Sequence, residues 1–246
     1  MYECPPRSKR DPEYVTRFPY YAHENIWPTT ALPELQPAFT DLGRAIVHVG
    51  SLIAQLCDTY IRTSTTTHAR EGEEEAFSLT RMIEASETCK ARLLHYFPLQ
   101  RAKAAADLDS WCGLHLDSSM LTGLTSAMLV DENADDGEFR ELEHLPRGCG
   151  AGGLHIKSRN GDLVKVDIPR DCLAFQLGEA AQVASRGLLV ATPHLVKGIH
   201  DPSGGIARNT FAVFMQPNVD AMLTPDKSYY QFSQEVFARH YVEEEL

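Results

Sequence analysis

From Arg92 onward the chain is cut into short apolar runs by turn residues, and this spacing limits the possible folds more than any other feature. The runs are Arg92–Pro98, Leu121–Val130, Gly153–Lys157, Leu163–Asp167, Cys172–Leu177, Gln182–Ala184, Leu188–Ala191 and Thr210–Met215. Parallel strands need a crossover of a dozen or more residues, usually a helix, and the gaps here carry turn residues instead. Asn160-Gly161, between two of the runs, is a strong hairpin signal, because both central residues of the favoured turn need positive φ. The expected fold is mainly β, with antiparallel strands in a sandwich or jelly roll.

The part before Arg92 reads differently. Residues 1–33 are rich in proline and aromatics (Pro5, Pro6, Pro12, Pro19, Tyr20, Tyr21, Trp27, Pro28, Pro33) without a period, so they are expected to form an irregular arm pinned by its rings. Leu42, Ile46, Val49, Ile53, Leu56 and Tyr60 recur at alternating steps of four and three, the spacing of one face of a long amphipathic helix. Glu71-Gly-Glu-Glu-Glu reads as a solvated loop entering a second, shorter helix over residues 75–89, since acidic groups suit a helix N-terminus. Ser233–Tyr241 is expected to close the chain as a helix. At 246 residues this amounts to one structural domain, with residues 1–91 as arm and helices packed on a β core of residues 92–246.

Hydrophobic residues make up 43% and charged residues 23%, as in ordinary globular proteins. The formal net charge of -11 argues against nucleic acid or anionic membrane as a partner, because both select basic surfaces. No apolar run is long enough to cross a bilayer, and the polar, proline-bearing start lacks the apolar segment of a secretory signal, so a cytoplasmic location is expected. Cys4, Cys57, Cys89, Cys112, Cys149 and Cys172 show no Cys-x-x-Cys spacing and are expected to be reduced thiols.

Within Trp111–Asp117 stand His115 and Asp117, two residues apart. On an extended chain that offset puts an imidazole and a carboxylate on one face, where both can reach one metal ion. Cys112, at the odd offset of three, is expected on the opposite face. A third ligand has to come from elsewhere, and His144, His155, His194 and His200 are candidates; His194 is favoured because it follows the apolar run ending near Val190. Arg208 and Thr210 form a second same-face pair, a guanidinium beside a hydroxyl, suited to holding a carboxylate. The acidic stretch 131–153, with its glycine cluster Gly148–Gly153, lacks the Lys-Ser/Thr and helix of a phosphate loop and reads as a flexible insertion between strands.

Two histidines and a carboxylate on one face of a metal suit non-haem Fe(II). On these residues the chain resembles the isopenicillin N synthase-like 2-oxoglutarate and Fe(II)-dependent oxygenases, from about Asn25-Ile-Trp-Pro28 to Gln216-Pro217. The resemblance implies a double-stranded β-helix, or jelly roll, with N-terminal helices. It implies His115, Asp117 and His194 as iron ligands, Arg208 with Thr210 as the grip on the distal carboxylate of 2-oxoglutarate, and Tyr96 or Phe97 as a neighbour of that cosubstrate. Thr210 stands where the family usually has Ser, and many relatives carry a further N-terminal module. The loops around the site differ too, so the substrate does not carry over.

The activity implied is oxidation, most simply hydroxylation, of a small organic substrate by O2, with 2-oxoglutarate converted to succinate and CO2. Two rivals remain: an isopenicillin synthase-type oxidase that consumes no 2-oxoglutarate, and a non-catalytic jelly-roll metal-binding protein, with zinc also suited to three side-chain ligands. Tyr96, Ser118, Ser119, Gln182 and Phe214 are candidates for the substrate pocket, and the sequence leaves the oligomeric state open.

Overall fold

The computed structural model describes residues 11–22, 24–65, 77–99, 110–133, 139–150, 152–202 and 204–243. The acidic run at Glu71 and the first ten residues of the arm lie outside these ranges. Helices α1 (Pro12–Arg17), α2 (Leu35–Thr65) and α3 (Leu79–Glu84) precede the strands β1 (Lys90–Tyr96), β2 (Ser110–His115), β3 (Leu121–Thr125), β4 (Met128–Asp131) and β5 (Arg140–Leu142). There follow β6 (Gly153–Lys157), β7 (Leu163–Lys165), β8 (Leu173–Leu177), α4 (Glu179–Ala184), β9 (His194–Lys197) and β10 (Ile206–Met215), then β11 (Met222–Thr224), β12 (Lys227–Ser228) and α5 (Tyr229–Glu243).

All strand pairs are antiparallel. The larger sheet runs β5-β4-β10-β3-β8 with β1 also on β10, and the smaller runs β2-β9-β6-β7. β10 organises the larger sheet: β1 covers one edge over Lys90–Tyr96 while β3 and β4 share the other. Between β3 and β4 the register against β10 shifts by one residue, the mark of a bulge. The expected single run Leu121–Val130 is therefore divided into β3 and β4. The hairpin at Asn160-Gly161 joins β6 to β7 as expected, but its turn is a different one: Gly161 has positive φ, at 90, and Asn160 does not, the Gly161 amide closing on the Ser158 carbonyl.

The long helix is present, but its buried face is rotated from the one marked by its large side chains. Leu56 and Tyr60 are exposed, whereas Ile46, Ala54 and Ile61 are buried, together with Gly43 and Gly50. Small residues let the helix axis come close to the sheet: a Cβ at Gly50 would stand 2.5 Å from the Met215 sulfur, and one at Gly123 would stand 2.4 Å from Ile46. Buried Asp58 on the same face accepts hydrogen bonds from the Leu79 and Thr80 amides and the Ser78 hydroxyl, satisfying the open N-terminus of α3.

Four further expectations are corrected. Gln182–Ala184 is not a strand but the end of α4, and Leu188–Ala191 is not a strand either: the Ala191 amide donates to the Gln182 side chain rather than to a ladder, and β9 starts only at His194. The arm is not irregular throughout, because Asp11 caps α1 through its side chain with Pro12 in the first turn, a favoured start. Its rings do pin it, Phe18 meeting Tyr230 and Trp27 meeting Phe39 edge to face. The described parts of the stretch after Asp131 are held as well: β5 pairs with β4, Gly150 donates to His200, and Arg170 pairs with Glu141. No helix among the described residues is long and apolar enough to cross a membrane, and Cys57, Cys89, Cys112, Cys149 and Cys172 are free thiols.

Gly178, at the start of α4, fixes the loop between β2 and β3. Its amide donates to Met120 and the next amide donates to Asp117, and a Cβ at Gly178 would lie 2.0 Å from the Ser119 carbonyl oxygen. Backbone cannot move aside as a side-chain tip can. Gly178→Ala is expected to lower stability by about 2 kcal/mol or more, read as a shifted urea midpoint at unchanged m-value; an unchanged midpoint would show that the loop is not held there.

Candidate metal and cosubstrate site

The chain crosses from the smaller sheet to the larger one between β2 and β3, and Asp117 sits in that crossing. His115 is the last residue of β2 and His194 the first of β9, and the two are paired across the ladder. Donor atoms of His115, Asp117 and His194 all lie within 4.8 Å of one another. Nε2 of each histidine is 3.7 Å from Oδ1 of Asp117, too long for a hydrogen bond and suited to a shared ion. Of the four histidines considered for the third position, the fold brings in His194 alone: His144 and His200 are exposed, and buried His155 turns its Nδ1 to the Gly153 carbonyl.

Each donor is oriented by what its other atom does. Nδ1 of His115 faces the Gly113 carbonyl at 2.8 Å and Nδ1 of His194 faces the Thr192 carbonyl at 3.1 Å. A carbonyl only accepts, so both Nδ1 atoms carry the proton and both Nε2 lone pairs point to the centre. Oδ2 of Asp117 accepts from the Thr122 hydroxyl at 2.7 Å and from the Gln176 amide at 2.6 Å, and Ser119 bonds Thr122 at 2.9 Å. One carboxylate oxygen is thus saturated and the other is left for a cation.

Burial works against ionised Asp117, but the fields of His115 and His194 and the bonds from Thr122 and Gln176 outweigh it and hold the carboxyl well below its usual range. The two histidines are driven apart although each lies at the same distance from Oδ1. Asp117, followed by Cys112, pushes His115 up, whereas desolvation pulls the more buried His194 down.

Cys112 departs from expectation. Register shifts on both sides of it in β2 turn it to the His115 side, with its sulfur 3.6 Å from His115 Nδ1. That contact is on the ring edge away from the three-atom centre, so Cys112 braces a donor rather than adding a fourth.

The three donors open into a cavity of about 330 Å3 between the sheets, a size typical of small-ligand sites. β10 sends Arg208, Thr210, Ala212 and Phe214 into it, and β1 sends Lys90, Arg92, Leu94 and Tyr96, the alternate residues of each strand. Arg208 is 6% exposed, makes no ion pair among the described residues, and has a buried Nη1 without a partner there. Desolvation lowers its pKa, yet a guanidinium stays charged. Thr210 is buried beside it with its hydroxyl 3.3 Å from the Thr125 carbonyl. Tyr96 lies opposite Arg208 in the register, the guanidinium 5.4 Å from its ring centre, while Phe97 is 71% exposed; between these two candidates only Tyr96 faces the site.

Of the other pocket candidates, Ser118 and Phe214 line the cavity. Ser119 instead supports Thr122, and Gln182 holds the loop before β9. Thr122, Gln176, Lys90 and Arg92 were not singled out from the sequence. Their signal is parity, which becomes readable only once strand pairing is known.

No family model matches the chain, and no curated protein does. Solved structures match it along most of its length. A Shewanella oneidensis protein provisionally named an oxygenase is 19% identical with a TM-score of 0.59, over 88% of this chain and 70% of that one. A protein of the 2OG-Fe(II) oxygenase family from Caulobacter crescentus is 18% identical with a TM-score of 0.63, over 91% of this chain and 65% of that one. The fold is that of the 2-oxoglutarate and Fe(II)-dependent oxygenases. A full-length Neurospora crassa protein, in a structure with alpha-KG and thymine, has the same fold at 15% identity and a TM-score of 0.57, over 87% of this chain and 60% of that one. The chain spans about half to seven tenths of the length of such structures.

The double-stranded β-helix explains why donors so far apart in sequence meet: β2 and β9 are neighbours in one sheet, and Thr122 and Gln176 face them from the other. Loss of this outer support is expected to weaken divalent metal binding by roughly 10- to 100-fold in Gln176→Leu and Thr122→Val, measured by calorimetry with Mn(II). Unchanged affinity in both variants would mean that the Asp117 orientation is fixed by other contacts.

Proposed function

We propose that the protein is a dioxygenase dependent on Fe(II) and 2-oxoglutarate, oxidising a small organic substrate with release of succinate and CO2. One observation carries this reading: the buried, acid-free guanidinium of Arg208 opens into the same cavity as the His115, Asp117 and His194 donors. A buried unpaired charge costs several kcal/mol, so the site fits a ligand that brings a carboxylate. Two imidazoles and one carboxylate, with the opposite side open to the cavity, fit Fe(II).

In this reading His115, Asp117 and His194 hold the iron, and Arg208 with Thr210 hold the distal carboxylate of 2-oxoglutarate, with Tyr96 packed over the guanidinium. Iron and cosubstrate together supply the oxidising chemistry with O2. The chain's own contribution is geometric and dielectric. Nδ1 protons held by Gly113 and Thr192 keep both rings in the tautomer that leaves Nε2 free. Thr122 and Gln176 keep Asp117 ionised and correctly turned. Apolar Leu94, Leu124 and Ala212 line the cavity, limiting the water that could reach reactive species.

The Arg208 site does not exclude the oxidase that uses no 2-oxoglutarate, because a substrate carboxylate would answer the guanidinium equally well; consumption of 2-oxoglutarate with succinate formation separates the two. In anaerobic titration with Fe(II) and 2-oxoglutarate a visible charge-transfer band is expected. Arg208→Ala should weaken cosubstrate affinity by about 30-fold or more, as for loss of one partner of a buried charged pair, and His194→Ala should abolish the band. Iron-loaded protein that shows no band with 2-oxoglutarate, and no succinate under air, would overturn the proposal.

A further inference from the structure

The cavity has a second positively charged end that the metal and cosubstrate do not use. Along β1 the inward residues are Lys90, Arg92, Leu94 and Tyr96, facing Phe214, Ala212, Thr210 and Arg208 of β10. Arg92 therefore stands opposite Ala212, four residues and about 13 Å along the strand from Arg208, and one strand to the side. Its guanidinium lies 5.3 Å from the Phe214 ring centre and makes no ion pair among the described residues. Lys90 lies 4.6 Å from the centre of the Tyr21 ring on the same wall.

The rest of this end is aromatic and polar. Tyr21, Phe214, Tyr229 and Phe237 line it, the last two from the C-terminal helix. Among the described residues four buried side-chain polar atoms lack a hydrogen-bond partner, and besides Arg208 Nη1 two of them, Gln216 Oε1 and Tyr229 Oη, belong to residues of this cavity. Ser118 bears on the titration of Tyr229, although the Tyr229 hydroxyl has no hydrogen-bond partner among the described residues. Gln216 lies past the end of β10 opposite to Arg208, about 26 Å of strand away, beyond the reach of a five-carbon diacid held at Arg208. Buried polar groups are nearly always satisfied, so these atoms are set for another occupant.

Charge narrows what that occupant is. The chain is strongly acidic overall, at -11, yet the described residues lining this cavity include three cations, Lys90, Arg92 and Arg208, and a single acid, Asp117. With the iron balanced by Asp117 and by a cosubstrate dianion that also answers Arg208, Arg92 is left facing the open part of the cavity without a counter-charge.

We infer that the substrate is a small organic acid whose carboxylate is bound by Arg92 at the cavity mouth and whose flat apolar body lies against Phe214 and the tyrosine wall, towards the metal. The inference rests on the oxygenase reading for calling this occupant the substrate; the anion site itself stands on its own geometry.

The test uses phenylacetate, phenylpropionate and cinnamate, each against its neutral amide, measured by calorimetry on the full chain loaded anaerobically with Fe(II) and saturated with 2-oxoglutarate, and again on metal-free protein. Arg92 is exposed at the cavity mouth, so at least one acid should bind about three- to fivefold more tightly than its amide. Arg92→Gln should bring acid and amide to within about twofold, and Arg92→Lys should restore part of the difference. The charge-transfer band reports on the cosubstrate, which Arg92 does not touch, and shows that the variant site is folded. If no acid is preferred over its amide, or the preference survives in Arg92→Gln, the inference fails even when the band forms. If the preference holds and depends on Arg92 while no band forms, the anion site stands and the oxygenase reading fails.

Discussion

The site depends on the two hydrogen bonds that saturate one oxygen of Asp117. A carboxylate this buried is held ionised first by His115 and His194, but without these bonds it would turn towards whatever donor was nearest. Thr122 and Gln176 add to its charge stabilisation and aim it, at about 1.5–3 kcal/mol for each bond to a charged group. Both come from the larger sheet, whereas the two histidines come from the smaller one. The same pair of bonds that tunes the carboxylate therefore also ties the two sheets together at the cavity floor.

That dependence explains why the loop between β2 and β3 is packed so tightly. Asp117 lies outside regular structure, and its position is set by the amide of Glu179, by Gly178 against the Ser119 carbonyl, and by Ser119 on Thr122. A flexible carboxylate would lose affinity to its own entropy and to water. Here it is framed on three sides, and its free oxygen has one direction open.

Much of this was legible in the sequence, and the part that was not has a physical reason. The turn-punctuated runs, the hairpin at Asn160-Gly161 and the long helix followed from local pattern. His115, Asp117, His194, Arg208 and Thr210 stood out by residue type and spacing, and the fold brings them to one cavity. The errors arose where local pattern and tertiary contact part. The buried face of α2 is lined by glycine and alanine, which hydropathy does not mark. Cys112 changed face because of register shifts in β2. Gln182–Ala184 has strand-like composition, but its backbone turns into a helix whose side chain binds the loop ahead of β9. Lys90, Arg92, Thr122 and Gln176 look ordinary until pairing assigns each a face and a neighbour.

β10 bears on the order in which the site can come into being. It contributes Arg208 and Thr210, joins β1 across more than a hundred residues of chain, and is the shared partner of β3 and β4. Such long-range closure is slow and comes late. Until this strand docks, β1 and β3 have no common neighbour and the cavity wall opposite the donors is missing. The wall that carries Arg208 and Thr210 therefore closes only after β10 has been made, later in the chain than all three donors of the candidate metal site.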